Sequence, residues 1–344
     1  EESCVYGLTT KARCISPQFS DSQNVRFFVG TMSLREENEV HLIEVLEDHN
    51  EIRCLCIYNH PHEIWNLATC PADSSLFFTV YNTTTGFKCS LWKANDNPTL
   101  EEVCQLAGHE GKIKKVFWNP SENTRSESVI SLDENHIRMW KLDLPSARKL
   151  SEKSSDHKLT TGSWNPLHSE QIATANDNCV RGWDLRTMKE TYTISQAHTF
   201  VRDLDFNPNR DYYMVTAGDD CKIKFWDTRK VSHPVKTFSG HSHWVYNVQY
   251  NPYHDQLVLS SGTDAVVNLW NIPSISSAPV DTDSAPTKLT EDKLVKTYED
   301  HEDSVYSVCW GSSSHAWTFA SLSYDGRVVV NSVPKAIRNT IHGI

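Results

Sequence analysis

The 344-residue sequence has no CxxC pair, no HExxH, no glycine-rich phosphate loop and no block of five or more Lys and Arg. Each absence removes a class of function. The missing phosphate loop and metalloprotease motif leave the nucleotide-phosphate cradle and the two-histidine zinc site without their sequence signatures. With a formal net charge of -11 and no basic block, nothing supplies the phosphate neutralisation on which nucleic-acid binding rests. Direct docking on anionic lipid is disfavoured for the same reason. No apolar run approaches the ~18 residues needed to cross a bilayer. The opening "EESCVYGL" is acidic and lacks a signal-peptide pattern, so a soluble, cytosolic chain is expected. The ten cysteines are scattered, as at Cys70, Cys104, Cys179 and Cys309. They read as buried free thiols in a reducing compartment. "NTT" at 82–84 has the form of a glycosylation sequon but reads as a turn.

What is present is a phrase restated. "AGDDCKIKFWDTR" at 217–229 is nearly repeated at 175–186 as "ANDNCVRGWDLR", and "SGTDAVVNLWN" follows at 261–271. Trp140, Trp183, Trp226 and Trp270 are spaced by 43, 43 and 44 residues, within the ~40–45 of one four-stranded propeller blade. Alternation marks strands: in "KIKFW", Ile223 and Phe225 share one face while Lys222 and Lys224 take the other. Asn-Pro, Gly and Asp punctuate the chain at short intervals, so an all-β protein is expected.

Seven blades can be counted, centred on 11–46, 62–93, 101–142, 152–187, 190–229, 235–272 and 294–333. "CVYGL" at the start lies where a strand could complete the last blade and leave no long edge. The fold class is therefore a seven-bladed β-propeller, one domain over 1–344. From Trp270 to Asn331, which stands where the last Trp would be, is 61 residues. The excess, "SISSAPVDTDSAPTKLTED" at 274–292, reads as a mobile loop inserted before an outer strand. The stretches 94–99 and 143–158 read as divergent loops.

An Asp sits six residues before each of three Trp: Asp177, Asp220 and Asp264. A turn Asp, a loop His, a Ser or Thr and the Trp indole can join in one hydrogen-bond chain. The expected sets are His198, Thr216, Asp220, Trp226 and His241, Ser260, Asp264, Trp270. Ser, His and Asp in company suggest a catalytic triad, but a nucleophile needs one exposed, uniquely activated copy, and these recur. The pairs "HPH" (60–62) and "HSH" (241–243) lack a third ligand at a fitting spacing. No catalytic, cofactor-binding or metal-ligating residue is assigned, and no cofactor is expected.

These features are those of WD-repeat β-propellers. The strings "QIATANDNCVRGWDLRTM", "VRDLDFNPNRDYYMVTAGDDCKIKFWDTR", "HSHWVYNVQYNPYHDQLVLSSGTD" and "FASLSYDGRVVVNSVPKA", with "RFFVGTMSL" and "HEIWNLATCPAD" earlier, closely resemble the EARP/GARP complex-interacting protein family of WD-repeat proteins. The resemblance covers nearly the whole chain; 94–160 diverges. It implies a non-enzymatic adaptor whose partners are subunits of the EARP and GARP tethering complexes. Such an adaptor supports endosomal recruitment, recycling, retrograde traffic to the trans-Golgi network and dense-core vesicle cargo sorting. It implies a cytoplasmic protein, monomeric by itself, peripheral at endosomes and trans-Golgi network, with membrane association only through partners.

In a propeller, residues flanking the inward apolar position of each innermost strand face the top funnel. Here they give Trp65, Lys114, Phe200, Arg202, Trp244, Tyr246 and Tyr306, with Tyr324 before its turn Asp. Aromatics and Arg are frequent interface anchors, so this is the candidate partner face. An alternative function comes from two WDxR boxes, with Asp184 and Arg186 in one and Asp227 and Arg229 in the other. They resemble the motif by which substrate receptors dock on a cullin-4 ubiquitin ligase; the simpler reading is that each Asp and Arg finish a strand and pair in solvent. A chromatin-peptide reader is open on fold grounds.

Overall fold

In the computed structural model, which describes residues 3–19, 23–35, 37–47, 50–121, 127–278 and 291–342, strands dominate. They form seven four-stranded antiparallel sheets. Blades 1 to 6 span 12–60, 63–105, 113–154, 159–194, 201–239 and 245–298, and blade 7 spans 305–332 plus the strand Cys4–Gly7. The innermost strand of each blade packs on that of the next, and the seventh returns to the first, so the ring is closed. The seven-bladed propeller is thus the observed fold.

The sheets are offset from the sequence repeats by one strand. Residues 101–105, 190–194 and 236–239, which open the units at 101–142, 190–229 and 235–272, are the outer strands of the preceding blades. Each repeat therefore staples two sheets together. Likewise 143–158 is not a loop, because Ser146–Ser154 is the outer strand of blade 3. Within 274–292, the described ends are anchored: Ile275 is buried in the core between blades 5 and 6, and Ser277 donates to Asp255 Oδ1 at 2.6 Å. The remainder of that insertion, 279–290, lies outside the described residues, as do 122–126 of the unit at 101–142.

Apolar side chains are buried between adjacent blades. Ala173, Ala175 and Val180 of blade 4 pack on Leu204, Phe206, Met214 and Trp226 of blade 5. Closure uses the first and last strands: Cys4–Gly7 pairs antiparallel with Arg327–Val330. The Tyr6 hydroxyl bonds His41 Nδ1 of blade 1 at 2.8 Å, so this strand ties the last blade to the first. One element is not foreshadowed by the strand pattern. The helix Lys335–His342 packs Ile337 onto Tyr298, Trp310, Phe319 and Val333.

Candidate partner-binding face

Each innermost strand slips register once against its neighbour, always one residue after a fully buried apolar side chain. The breaks fall between Ala12 and Cys14, Ile64 and Asn66, Ile113 and Lys115, and Leu159 and Thr161. They continue between Val201 and Asp203, Val245 and Asn247, and Val305 and Ser307. A bulge removes one residue from the ladder and re-aims its side chain. The seven residues so placed are Arg13, Trp65, Lys114, Thr160, Arg202, Tyr246 and Tyr306.

All but Tyr306 line a funnel of about 260 Å³. Tyr306 joins Arg13, Trp65, Lys114, Arg202 and Tyr246 around a deeper cavity of about 430 Å³. Cations stack on rings throughout. The Arg13 guanidinium lies 4.6 Å from the Tyr306 ring centre, 5.3 Å from Trp65 and 5.6 Å from Tyr246. Arg202 lies 4.4 Å from Phe200, 4.9 Å from Trp244 and 5.0 Å from Tyr246. Lys112 sits 4.2 Å over Trp65 and Lys11 4.8 Å over Tyr324. Tyr246 meets Tyr306 edge-on at 4.6 Å, and Tyr306 meets Tyr324 at 5.6 Å. Such contacts hold long cationic side chains in fixed positions. Trp244 keeps 40% of its surface exposed at the rim.

Local backbone geometry sets the rim. A Cβ on Gly218 would stand 2.3 Å from the Phe200 carbonyl oxygen, and one on Gly262 2.3 Å from that of Trp244. Only glycine permits that approach, which lets Asp219 N–H and Thr263 N–H each donate to the same carbonyls at 3.0 Å. Phe200 and Trp244 are thereby pinned beside their bulges. Two ring cations have carboxylate neighbours: Arg202 donates to both Asp219 oxygens, at 2.6 and 2.8 Å, and Lys114 lies 3.6 Å from Glu134. Partial burial, then the charges of Lys114 and Arg13, lower the pKa of Lys112 from its ordinary value.

Beneath the face lie the hydrogen-bond sets. His198 Nδ1 is 2.6 Å from Asp220 Oδ1 and its Nε2 2.7 Å from Thr216 Oγ1, while Trp226 Nε1 donates to Thr216 Oγ1 at 2.9 Å. In blade 6, His241 Nδ1 is 3.0 Å from Asp264 Oδ2, its Nε2 2.7 Å from Ser260 Oγ, and Trp270 Nε1 donates to that oxygen at 2.8 Å. Burial lowers the pKa of His198 despite the neighbouring Asp220. The neutral Nδ1–H tautomer then satisfies every member: indole to hydroxyl, hydroxyl to Nε2, Nδ1–H to carboxylate. Two further blades have shorter versions, His60–Thr79–Trp92 and His109–Ser131–Trp140. Blade 4 keeps only Trp183 donating to Thr174, at 2.9 Å. In blade 7, Asn331 donates to Asp300 Oδ2 at 3.1 Å where blades 2 to 6 have an indole. Among the described residues no group of three His, Cys, Asp or Glu is arranged to hold a metal ion.

The WDxR boxes lie elsewhere. Arg186 donates to both oxygens of Asp184, at 3.2 and 2.8 Å, and Arg229 to both of Asp227, at 2.9 and 2.8 Å. Arg229 also stacks on Tyr212 at 4.5 Å. Each guanidinium is therefore engaged within its own box.

The structure brings the eight candidate residues together around one opening and adds Arg13, Lys112, Thr160 and Lys11. Those four carry a readable signal: they flank Ala12, Ile113 and Leu159 as Arg202 flanks Val201. Blade 1 has no Trp and blade 4 offers a small Thr, which obscures the correspondence.

Seven blades, recurrent His–Ser/Thr–Trp bonding and an open, ring-lined funnel define a WD-repeat β-propeller, an interaction protein by fold. The sequence matches the family described as EIPR1 beta-propeller over residues 1–270, and that described as WD domain, G-beta repeat over 292–330. The chain belongs to the EIPR1 β-propeller family. It is 42% identical to the EARP-interacting protein homolog of Gekko japonicus and 41% to the EARP and GARP complex-interacting protein 1 of Homo sapiens, across 97% of this chain and 97% of each relative. It is also 41% identical to the WD repeat-containing protein DWA2 of Arabidopsis thaliana, across 95% of both. No described helix is long and apolar enough to cross a membrane.

Proposed function

We propose that this chain is a non-enzymatic adaptor that binds subunits of the EARP and GARP complexes through the funnel face. The observation that carries the reading is the bulge ring: six of seven equivalent positions present a cation or an aromatic where strand pairing would otherwise hold it. Of the relatives matched over nearly their full length, the one from Gekko japonicus is named for interaction with EARP and the one from Homo sapiens for interaction with the EARP and GARP complexes. In this role it supports endosomal recruitment of the tether, recycling, retrograde traffic to the trans-Golgi network and dense-core vesicle cargo sorting. It acts as a cytoplasmic monomer that reaches endosomes and the trans-Golgi network through its partners, with no nucleic-acid binding. The test is capture of tether subunits from cell extract by wild-type protein and by the folded double variant Trp244→Ala, Arg202→Ala. Truncating such anchors costs ~2 kcal/mol or more each, so capture should fall well over tenfold. Wild-type recovery by the double variant overturns the assignment of the face.

A further inference from the structure

The bulge ring holds three cations, three aromatics, one threonine and no carboxylate, on a chain with formal net charge -11. A basic opening on an acidic protein is a local choice, and its chemistry narrows what can fill it. The inference rests on the docking face proposed above and concerns the segment that enters it.

Arg13 is the central observation. Lys114 and Arg202 each have a carboxylate nearby, but among the described residues no ion pair reaches Arg13. Its contacts are three ring faces and one hydrogen bond, from Nη2 to the Tyr246 hydroxyl at 3.4 Å. Rings satisfy the faces of a guanidinium; its five N–H groups point outward in the plane and need oxygen acceptors. Arg13 lines both cavities, so those donors face the opening. Lys112, held 4.2 Å over Trp65, is a second cation at the same mouth with no ion pair among the described residues. Two half-buried positive charges side by side, neither in an ion pair among the described residues, form a site that suits an added anion. The carboxylate of neighbouring Glu63 is engaged by the Trp65 indole, Nε1 to Oε1 at 3.2 Å.

We infer that the funnel takes an acidic peptide segment of the partner, with an Asp or Glu carboxylate seated in the plane of Arg13 and a second acidic side chain meeting Lys112. Apolar side chains of the same segment lie on Trp244 and Tyr246. The funnel volume, about 260 Å³, admits a few side chains and not a nucleic-acid duplex. The exposed Trp244 rim suits a peptide that carries apolar residues beside its acids.

The test uses the purified full chain and a fluorescein-labelled peptide in which Glu alternates with Leu and Gly, read by fluorescence polarisation. Its Gln, Lys and phosphoserine counterparts serve as comparisons. The Glu peptide should bind about tenfold or more tighter than the Gln peptide, and its affinity should fall as salt rises. Arg13→Gln and Lys112→Gln should each weaken it about tenfold, the latter with wild-type Tm. Equal binding of Glu and Gln peptides, binding of neither, or wild-type affinity in both variants overturns the inference. A phosphoserine peptide bound over tenfold tighter than the Glu peptide overturns the carboxylate assignment. The same peptide is then used as competitor in tether capture. Capture lost in Trp244→Ala, Arg202→Ala but untouched by Arg13→Gln, Lys112→Gln and the Glu peptide keeps the docking face and removes the acidic segment. Capture intact in the Trp244→Ala, Arg202→Ala variant, with the Glu peptide still bound, removes the docking face and keeps the acidic site.

Discussion

Arg13 of blade 1 lies 4.6 Å from the ring centre of Tyr306 on blade 7, so the innermost strands of the first and last blades meet through a cation stacked on an aromatic. That contact exists only when the ring is shut. Its covalent counterpart at the rim is Cys4–Gly7, added as the outer strand of blade 7.

Removing residues 1–8 should open the ring. Without this strand the backbone edge at Arg327–Val330 loses its partner, and an open edge invites pairing with another chain. The truncated protein should melt at lower temperature and associate as concentration rises in sedimentation velocity. An unchanged Tm and a monomeric profile would show that closure depends on other contacts.

Thr216→Val should be costly for its size. The hydroxyl is shared by His198 Nε2 and the Trp226 indole, so its loss leaves buried groups without partners at roughly 1–3 kcal/mol each. Urea unfolding should register this as a lower midpoint with unchanged slope. Asp264→Ala should act in the same direction through His241, with no purified chemistry lost.

Three histidines should resist protonation. Burial, the largest cause in each case, lowers His60, His109 and His301 from an ordinary 6.5 to about 4. Well above pH 6.5 these groups are neutral in folded and unfolded chains alike. As pH falls from 6.5 towards 4, only the unfolded chain binds the protons, so each removes up to about 1.4 kcal/mol of stability per pH unit. Buried Asp205, raised to about 7, acts oppositely and offsets part of the loss. Imidazole NMR titration should show all three rings neutral at pH 5; a midpoint near 6.5 for any of them contradicts this.

The WDxR boxes should prove inert. Arg186 and Arg229 are bound to the Asp of their own boxes, and pairs whose guanidinium lies in solvent contribute little. Arg186→Ala with Arg229→Ala should leave Tm and tether capture unchanged. Loss of a co-purifying cullin-4 adaptor in that variant would instead restore the ligase-receptor reading.

The repeat period made the blade count legible because Trp, turn Asp and loop His are fixed by one hydrogen-bond chain, and that chain recurs. The strand offset was not legible. Periodicity reports where a unit repeats, whereas which sheet an outer strand joins is decided by backbone pairing across the gap. Five of the seven bulged residues could be read from their buried neighbours, such as Tyr246 after Val245. Arg13 escaped because Ala12 is too small to announce a core position. The helix Lys335–His342 escaped because its stability comes from Ile337 docking on blades 6 and 7 and not from a long helical pattern.

Hydrogen–deuterium exchange of the chain, alone and bound to purified tether complex, tests the central claim most directly. The account predicts slowed exchange at the bulges, in peptides covering 11–14, 63–66, 112–115, 200–203, 244–247 and 305–307, with outer strands such as Ser146–Ser154 unchanged. Protection confined to outer strands or to the opposite face, with those peptides exchanging as in the free protein, would contradict it.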